Sequence, residues 1–247
     1  MPVPILSARY VHKSYGRGRS RFDALRGVSL DIADGESVAI VGRSGSGKST
    51  LMHLLALLDE PTDGAIELSG RNAATLKPAV LNMTRNATFG FVFQQFFLTS
   101  GLTVLENVAL PLKIAGRPAA ERRRRSLETL EQLEMVDKAH SRANDLSGGQ
   151  KQRVVIARAL VNNPRVIFAD EPTGNLDGTT GAVVEDILLD LNRRAGITLV
   201  VVTHDEALAA RTDRQVYLRE GRLVDPDGQD LDALSARTTS YRREIAA

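Results

Sequence analysis

The stretch GRSGSGKS, which runs from Gly42 to Ser49, decides the fold of this chain. It matches the pattern G-x-x-x-x-G-K-[ST] at every fixed position, and this pattern is typical of a loop that cradles nucleotide phosphates. Its glycines let the backbone approach a ligand closely, its lysine reaches phosphate oxygens, and its serine hydroxyl is the expected ligand of Mg²⁺. The predicted nucleotide-binding residues of this segment are Gly42, Arg43, Ser44, Gly45, Ser46, Gly47, Lys48, Ser49 and Thr50.

The segments on either side of the loop support this interpretation. Ser37–Val41 (SVAIV) has the apolar composition of a buried strand, and Thr50–Leu58 (TLMHLLALL) predicts a helix. The N-terminal end of that helix carries a partial positive charge and would face the phosphates. The alternative is an ordinary Gly/Ser-rich turn. This alternative is disfavoured because the loop follows a predicted strand and precedes a predicted helix.

Two further segments follow the loop along the chain. Leu146–Gln150 reads LSGGQ, and Val166–Glu171 reads VIFADE, an apolar run that ends in two acids. Taken alone, LSGGQ could be a glycine turn that begins a helix, and VIFADE could be any buried parallel strand. Together and in this order, they resemble the nucleotide-binding subunit of an ABC (ATP-binding cassette) transporter, and the resemblance covers about residues 3–224.

The alternation of strand-like and helix-like segments predicts an α/β fold. The resemblance implies a RecA-like P-loop NTPase core with an antiparallel β subdomain and an inserted α-helical subdomain, within one domain spanning 1–247. The core and the β subdomain would occupy about 3–97 and 156–224, the helical subdomain about 98–155, and a tail 225–247. This tail is either a short helix against the core or partly disordered. The predicted strands are Ile5–Lys13, Val28–Ile32 and Ala65–Leu68 in an antiparallel edge sheet, and Ser37–Val41, Phe89–Phe93, Val166–Ala169 and Thr198–Thr203 in the core.

The composition argues against several functions. With 247 residues, 43% of them hydrophobic, the chain can bury a sizeable core. A net charge of +2 does not demand a nucleic-acid partner, and the lack of cysteine excludes thiol catalysis, disulfides and a zinc ribbon. The N-terminus does not have the pattern of a signal peptide, and no apolar run approaches the ~20 residues of a membrane span. We therefore expect a cytoplasmic chain whose membrane-embedded partner, if it works in transport, is a separate polypeptide.

Two groups of arginines admit more than one interpretation. Arg122–Arg125 lies in a helical stretch with glutamates nearby, so a solvated helix face with ion pairs is the favoured explanation. Contact with nucleic acid or lipid is the alternative. A Gly-containing loop holds Arg17, Arg19 and Arg21, and it is either solvated or in contact with a nucleotide edge or anionic lipid.

Phosphoryl transfer from ATP to water depends on positioning and charge neutralisation more than on covalent chemistry. Ser49 and Asp170 are predicted to hold Mg²⁺, and Glu171 to polarise the attacking water as a general base. A helix cap or a surface acid is the alternative role of Glu171. The resemblance implies that Gln94, the last residue of GFVFQ, contacts Mg²⁺ and the γ-phosphate close to the membrane partner, with Gln95 as the alternative.

The resemblance also implies three further contacts with nucleotide. His204, at the end of LVVVTH, would contact the γ-phosphate, although a lone histidine is more often structural. Tyr15 would stack on adenine. The GNLD segment, Gly174–Asp177, would cross the interface with a second copy of the chain. The γ-phosphate held by that copy would be bound by the signature residues Ser147, Gly148, Gly149 and Gln150.

Four segments are similar to one branch of the family, the ATPases of the lipoprotein-release and macrolide-export type: LLDEPTDG, FGFVFQQFFL, LTVLENVALPL and DEPTGNLD. Phe97 and Ala56 depart from the asparagine and glycine usual there. The branch implies two copies that close on ATP and drive a separate permease at the inner face of the membrane, in efflux or extraction of a drug, peptide or lipid-linked substrate. The alternatives are a regulatory ATPase that acts through a permease-like partner on cell-wall or cell-division enzymes, and a soluble ATPase of translation or DNA repair. An import ATPase with a solute-binding protein is a further alternative, which the QQFFL and GNLD segments favour less.

Overall fold

The structure, a computed structural model, describes residues 3–231. Its strands, in chain order, are β1 (Leu6–Tyr15), β2 (Phe22–Ile32), β3 (Ser37–Val41), β4 (Asp63–Leu68), β5 (Arg71–Asn72), β6 (Phe89–Phe93), β7 (Val166–Asp170), β8 (Thr198–Thr203), β9 (Arg214–Arg219) and β10 (Arg222–Val224). Its α-helices are α1 (Lys48–Leu55), α2 (Pro78–Thr88), α3 (Val104–Val108), α4 (Leu110–Ile114), α5 (Ala119–Gln132), α6 (Gly148–Leu160), α7 (Gly178–Ala195) and α8 (Glu206–Ala209).

The strands form two sheets of different type. The first has the order β2-β1-β4-β5 and is antiparallel throughout. The second has the order β10-β9-β3-β8-β7-β6, and its five strands from β9 to β6 are parallel, whereas β10 pairs antiparallel with β9. Parallel neighbours require crossover connections, and helices provide most of these.

The predicted fold class is confirmed, and strands are present at all seven predicted places. β2 is longer than predicted and begins at Phe22, while β5, β9, β10 and α2 were not predicted. The helix after the phosphate loop runs from Lys48 to Leu55 rather than from Thr50 to Leu58, and Leu57 beyond its end has a φ of +56°. The subdomain boundaries stay a prediction, and most of the predicted tail, residues 232–247, lies outside the described residues.

The parallel sheet has a hydrophobic core on each face. Along β7 the side chains of Val166 and Phe168 belong to one cluster, and those of Ile167 and Ala169 belong to the other. Successive side chains of a strand point to opposite faces, so a strand that is covered on both faces is apolar at every position. This packing explains why the core strands read as continuous apolar runs. Phe168 fills the first cluster, and its ring lies edge-on to Phe89 with 5.2 Å between centroids.

We expect Gly90→Ala to lower the free energy of unfolding by about 1–3 kcal/mol, because it overpacks a tight contact between β6 and α6. An added Cβ would lie 2.6 Å from the carbonyl oxygen of Ala159 and 3.0 Å from its Cβ, and backbone cannot move aside as cheaply as a side-chain tip. Urea denaturation measures the change. Gly101→Ala is the matched control, since no atom lies within 4 Å of a Cβ there. Equal stability of the two variants would contradict the tight packing.

Candidate functional site

The predicted site residues meet at one edge of the parallel sheet. The phosphate loop follows β3, Gln94 follows β6, Asp170 ends β7, and His204 follows β8. The carboxyl ends of parallel strands lie at the same edge, where α/β proteins bind ligands. There, all residues of the phosphate loop except Ser46 border a cleft of about 530 Å³, together with Gln94, the two acids and His204.

The phosphate loop is built around glycines that no other residue can replace without strain. Gly45 has a φ of +76° and Gly47 has a φ of +105°, and residues with a side chain rarely adopt such positive angles. A Cβ at Gly47 would lie 2.5 Å from the carbonyl oxygen of Ala24, and one at Gly42 would collide with the carbonyl oxygen of Leu218. Close backbone contacts therefore require glycine at positions 42 and 47, and a positive φ favours it at positions 45 and 47.

Lys48 is held inside this loop. Its ammonium donates hydrogen bonds to the carbonyl oxygens of Gly42 at 2.8 Å and Arg43 at 3.1 Å. The same side chain borders the cleft, at the beginning of α1. A cation and a helix N-terminus at one place form a site that suits the phosphates of a nucleotide.

Ser49 and Asp170 supply oxygen ligands that fit a magnesium ion. Ser49 and Asp170 border the same cleft, and burial raises the pKa of Asp170 above its ordinary value, which the nearby Ser49 hydroxyl partly opposes. A nearby divalent cation would favour the ionised carboxylate again. Within residues 3–231 no group of three or more His, Cys, Asp or Glu side chains could hold a metal ion. Magnesium suits this donor set, because it is usually held by one or two protein oxygens together with substrate phosphates.

Glu171 and His204 form an ion pair beside the loop. The Oε2 atom of Glu171 lies 2.9 Å from Nδ1 of His204, and 21% of the glutamate side chain is exposed against 77% of the histidine. The backbone of Glu171 has a φ of +46°, which is uncommon outside glycine, and its N–H donates to the carbonyl oxygen of Val202 in β8 at 2.9 Å. This conformation turns the chain at the end of β7 and directs the carboxylate into the cleft. Backbone outliers of this kind cluster at functional sites.

We expect the imidazole of His204 to titrate above its ordinary pKa of about 6.5. The hydrogen bond and the charge of Glu171 stabilise the protonated ring and raise the pKa. The pair therefore stabilises the folded chain fully below pH about 6.5, and this contribution is lost as pH rises through the raised pKa. NMR titration of the ring protons measures the value, and Glu171→Gln should bring it down. An equal pKa in both proteins would show that Glu171 is not the cause.

Gln94, rather than Gln95, borders the cleft. Its side-chain Nε2 lies 3.4 Å from Oδ1 of Asn175, and Nδ2 of Asn175 donates to the main-chain oxygen of Gln94 at 2.8 Å. The partner Asn175 belongs to the GNLD segment. The structure therefore joins two predicted segments that are 81 residues apart in sequence.

The signature residues lie at the N-terminus of α6, and none of them borders the cleft. Ser147 and Gln150 form a capping box, in which Gln150 N–H donates to Ser147 Oγ at 3.3 Å and Ser147 N–H donates to Gln150 Oε1 at 3.0 Å. One chain therefore does not bring its own signature residues to its own phosphate loop. Their predicted contact with the nucleotide of a second copy stays a prediction.

Tyr15 lies beside the cleft, and Phe22 borders it. The hydroxyl of Tyr15 donates to Asp59 at 3.0 Å, and the ammonium of Lys13 lies 5.0 Å from the centre of its ring. Phe22, which pairs with Tyr15 across β1 and β2, borders the cleft with 56% of the residue exposed. Sequence reasoning missed Phe22 and Ala24, because the sequence alone does not show that they lie at the cleft. The stacking role of Tyr15 stays a prediction.

The arginine run lies on α5 and is largely paired. Arg124 contacts Glu128 at 2.9 Å and Arg125 contacts Glu121 at 3.4 Å, each one turn apart. Arg125 also donates to the carbonyl oxygen of Val161 at 2.7 Å. These contacts support the interpretation of a solvated helix face.

A phosphate-binding loop after one parallel strand and a pair of acids at the end of another define an α/β nucleotide-hydrolysing protein of the P-loop class. The sequence model of the ABC transporter family matches residues 25–174. The chain belongs to this family and is an ATP-binding ATPase.

Two curated relatives indicate the branch. The chain is similar to the lipoprotein-releasing system ATP-binding protein LolD of Geobacter metallireducens, at 44% identity over 89% of this chain and 98% of that protein. It is also similar to the macrolide export ATP-binding/permease protein MacB of Hyphomonas neptunium, at 42% identity over 98% of this chain. The match spans 37% of the length of that MacB protein.

A solved structure with the same fold is the dimeric ABC transporter cassette MJ0796, which superimposes with a TM-score of 0.82. It is 44% identical in sequence, over 89% of this chain and 97% of that one. The same cassette is known in a dimeric, post-hydrolysis state with bound ADP and phosphate. Between residues 3 and 231 of the present chain, no helix has both the length and the hydropathy that crossing a membrane requires.

Proposed function

We propose that two copies of this chain close around ATP and that their cycle of closing and opening drives a separate membrane permease. The observation that carries this proposal is the separation of the two phosphate-binding elements. The phosphate loop borders the cleft, whereas the capped N-terminus of α6 does not. A second copy would supply the missing half of each site, as the dimeric form of MJ0796 suggests by analogy. ATP then shifts the population between open and closed dimers.

Hydrolysis would use the groups that border the cleft. Lys48 and the loop amides bind the phosphates, and Tyr15 with Phe22 contacts the base. Glu171 accepts a proton from the attacking water, which adds to the γ-phosphorus as the bond to the β-phosphate oxygen breaks. His204 Nδ1 lies 2.9 Å from Glu171, which would orient the ring so that it donates to a γ-phosphate oxygen.

Magnesium would neutralise charge on the β- and γ-phosphates. Ser49 and Asp170 would hold it, with Gln94 as a third contact from the end of β6. The half-buried carboxylate of Asp170, which borders the same cleft as Ser49, is the observation that supports this assignment.

The work of the cycle would be mechanotransmission in a system of the macrolide-export or lipoprotein-release type. The similarity to LolD and MacB supports this branch. The permease would hold the substrate, a drug, a peptide or a lipid-linked molecule, and the present chain would touch only ATP, its second copy and the permease. It would then lie at the cytoplasmic face of the membrane, attached through that permease.

The test is recovery of the partner from solubilised membranes of the source organism. Tagged Glu171→Gln protein, with ATP and Mg²⁺, should retain a membrane protein that has few spanning helices and a large outer domain. The double variant Lys48→Ala/Glu171→Gln, in which we expect ATP binding to be about 10- to 100-fold weaker, is the control and should retain less. An outer domain that binds cell-wall enzymes would favour the regulatory alternative. Recovery of only ribosomes, nucleic acid or soluble proteins would overturn the transport proposal.

A further inference from the structure

We propose that Asn175 and Gly174 position the side chain of Gln94, so that the GNLD segment sets where the Gln94 amide points in the ATP cleft. The side chain of Asn175 contacts Gln94 at two atoms. Nδ2 of Asn175 donates to the main-chain oxygen of Gln94, and Oδ1 of Asn175 lies 3.4 Å from the side-chain Nε2 of Gln94. This inference rests on the proposed role of Gln94 in hydrolysis and adds the residues that orient it.

Gly174 provides the space for this arrangement. A Cβ at position 174 would lie 2.7 Å from Nε2, 3.1 Å from Cδ and 3.3 Å from Cγ of Gln94. The amide of Gln94 therefore packs directly over the backbone of Gly174. The φ angle of Gly174 is not in the left-handed region, so an added Cβ would act by displacing the Gln94 side chain and not by straining the backbone.

Arg158 holds the segment that follows Gln94. Its guanidinium donates to the carbonyl oxygens of Phe96 at 3.0 Å and Phe97 at 2.7 Å. Arg158 lies in α6, the helix that begins at the signature residues. The main chain that follows Gln94 is thus bonded to α6. We infer that the contact with Asn175 sets the direction of the side-chain amide of Gln94.

The arrangement links two surfaces with different proposed partners. The GNLD segment is proposed to touch the second copy of the chain, and Gln94 to contact Mg²⁺ and phosphate. A shift of Asn175 when two copies close would move the Gln94 amide with it, because two hydrogen bonds and a steric contact join them. Dimer closure would in this way complete the hydrolytic site.

Steady-state ATPase measurements on Asn175→Ala and Gly174→Ala test the inference in two backgrounds. With Gln94 present, each change should lower kcat about tenfold, the loss expected when one hydrogen-bonded group is displaced, with KM changed less than about twofold. In a Gln94→Ala background, neither should lower kcat further by more than about twofold, because the positioned amide is gone. Gly101→Ala, where a Cβ meets nothing within 4 Å, should leave kcat unchanged.

A second measurement does not depend on turnover. The side-chain NH₂ signals of Gln94, assigned by their loss in Gln94→Ala, should shift in the NMR spectra of nucleotide-free Asn175→Ala and Gly174→Ala, but not in Gly101→Ala. Unshifted signals, or equal losses of kcat with and without Gln94, would overturn the inference. If Gln94→Ala alone kept full activity, the proposed role of Gln94 would fail, and the NH₂ signals would still decide whether Asn175 and Gly174 position it.

Discussion

Glu171→Gln should lower the kcat of ATP hydrolysis by about 10²–10⁴-fold, the range that a general base contributes, while ATP binding is retained. Glutamine keeps the shape of the side chain but cannot accept the proton of the attacking water. The groups proposed to bind ATP, among them Lys48 and the loop amides, are unchanged. ATP should therefore accumulate between two copies instead of being consumed.

Two experiments measure this result. Single-turnover hydrolysis gives the chemical rate, and light scattering after gel filtration with ATP and Mg²⁺ gives the fraction of dimer, which should rise in Glu171→Gln. Glu131→Gln is the matched control, because Glu131 is exposed on α5 and does not border the cleft. Rapid multiple turnover by Glu171→Gln would remove Glu171 from the role of base.

Lys48→Ala should weaken ATP binding by about 10- to 100-fold, because hydrogen bonds to charged groups contribute about 1.5–3 kcal/mol. The lysine ammonium lies within the curve of the loop, bonded to the carbonyl oxygens of Gly42 and Arg43, where phosphate oxygens can replace or join these partners. Alanine leaves the loop glycines and the start of α1 in place, so the fold should be retained.

Titration calorimetry with ATP and Mg²⁺ measures the dissociation constant of Lys48→Ala. Lys77→Ala removes an exposed lysine just before α2 and should bind ATP like the unchanged chain. Thermal unfolding of both variants without nucleotide verifies that the fold is intact. Unchanged affinity in Lys48→Ala would mean that the loop amides and α1 carry phosphate binding without the lysine.

The phosphate loop and the core strands could be predicted because their signals are local. Ser37–Val41 is apolar after its first residue and Val166–Asp170 is apolar before its last, as strands covered on both faces are. The spacing of glycine, lysine and serine in Gly42–Ser49 is set by how a backbone wraps a phosphate, and it requires no distant residue.

Elements with weak local signals were missed. β9 (RQVYLR) mixes charged and apolar residues, and α2 has no fully buried residue. Both are held in place by their neighbours, since β9 pairs with β3 and β10, and α2 leads directly into β6. Phe22 was missed because its exposure at the cleft depends on the pairing of β1 with β2.

The sequence by itself determined the family, the ATPase chemistry and most of the residues that now border the cleft, because the phosphate loop has a fixed local spacing and the other predicted residues stand at the ends of apolar strand segments. Only the tertiary structure decided which of these groups touch. Glu171 and His204, which pair with each other, follow the neighbouring strands β7 and β8. The hydrogen bond from Asn175 to Gln94 joins residues that are far apart in the chain. Such contacts depend on strand order and on backbone angles such as the φ of Glu171, and no local pattern of residues encodes either.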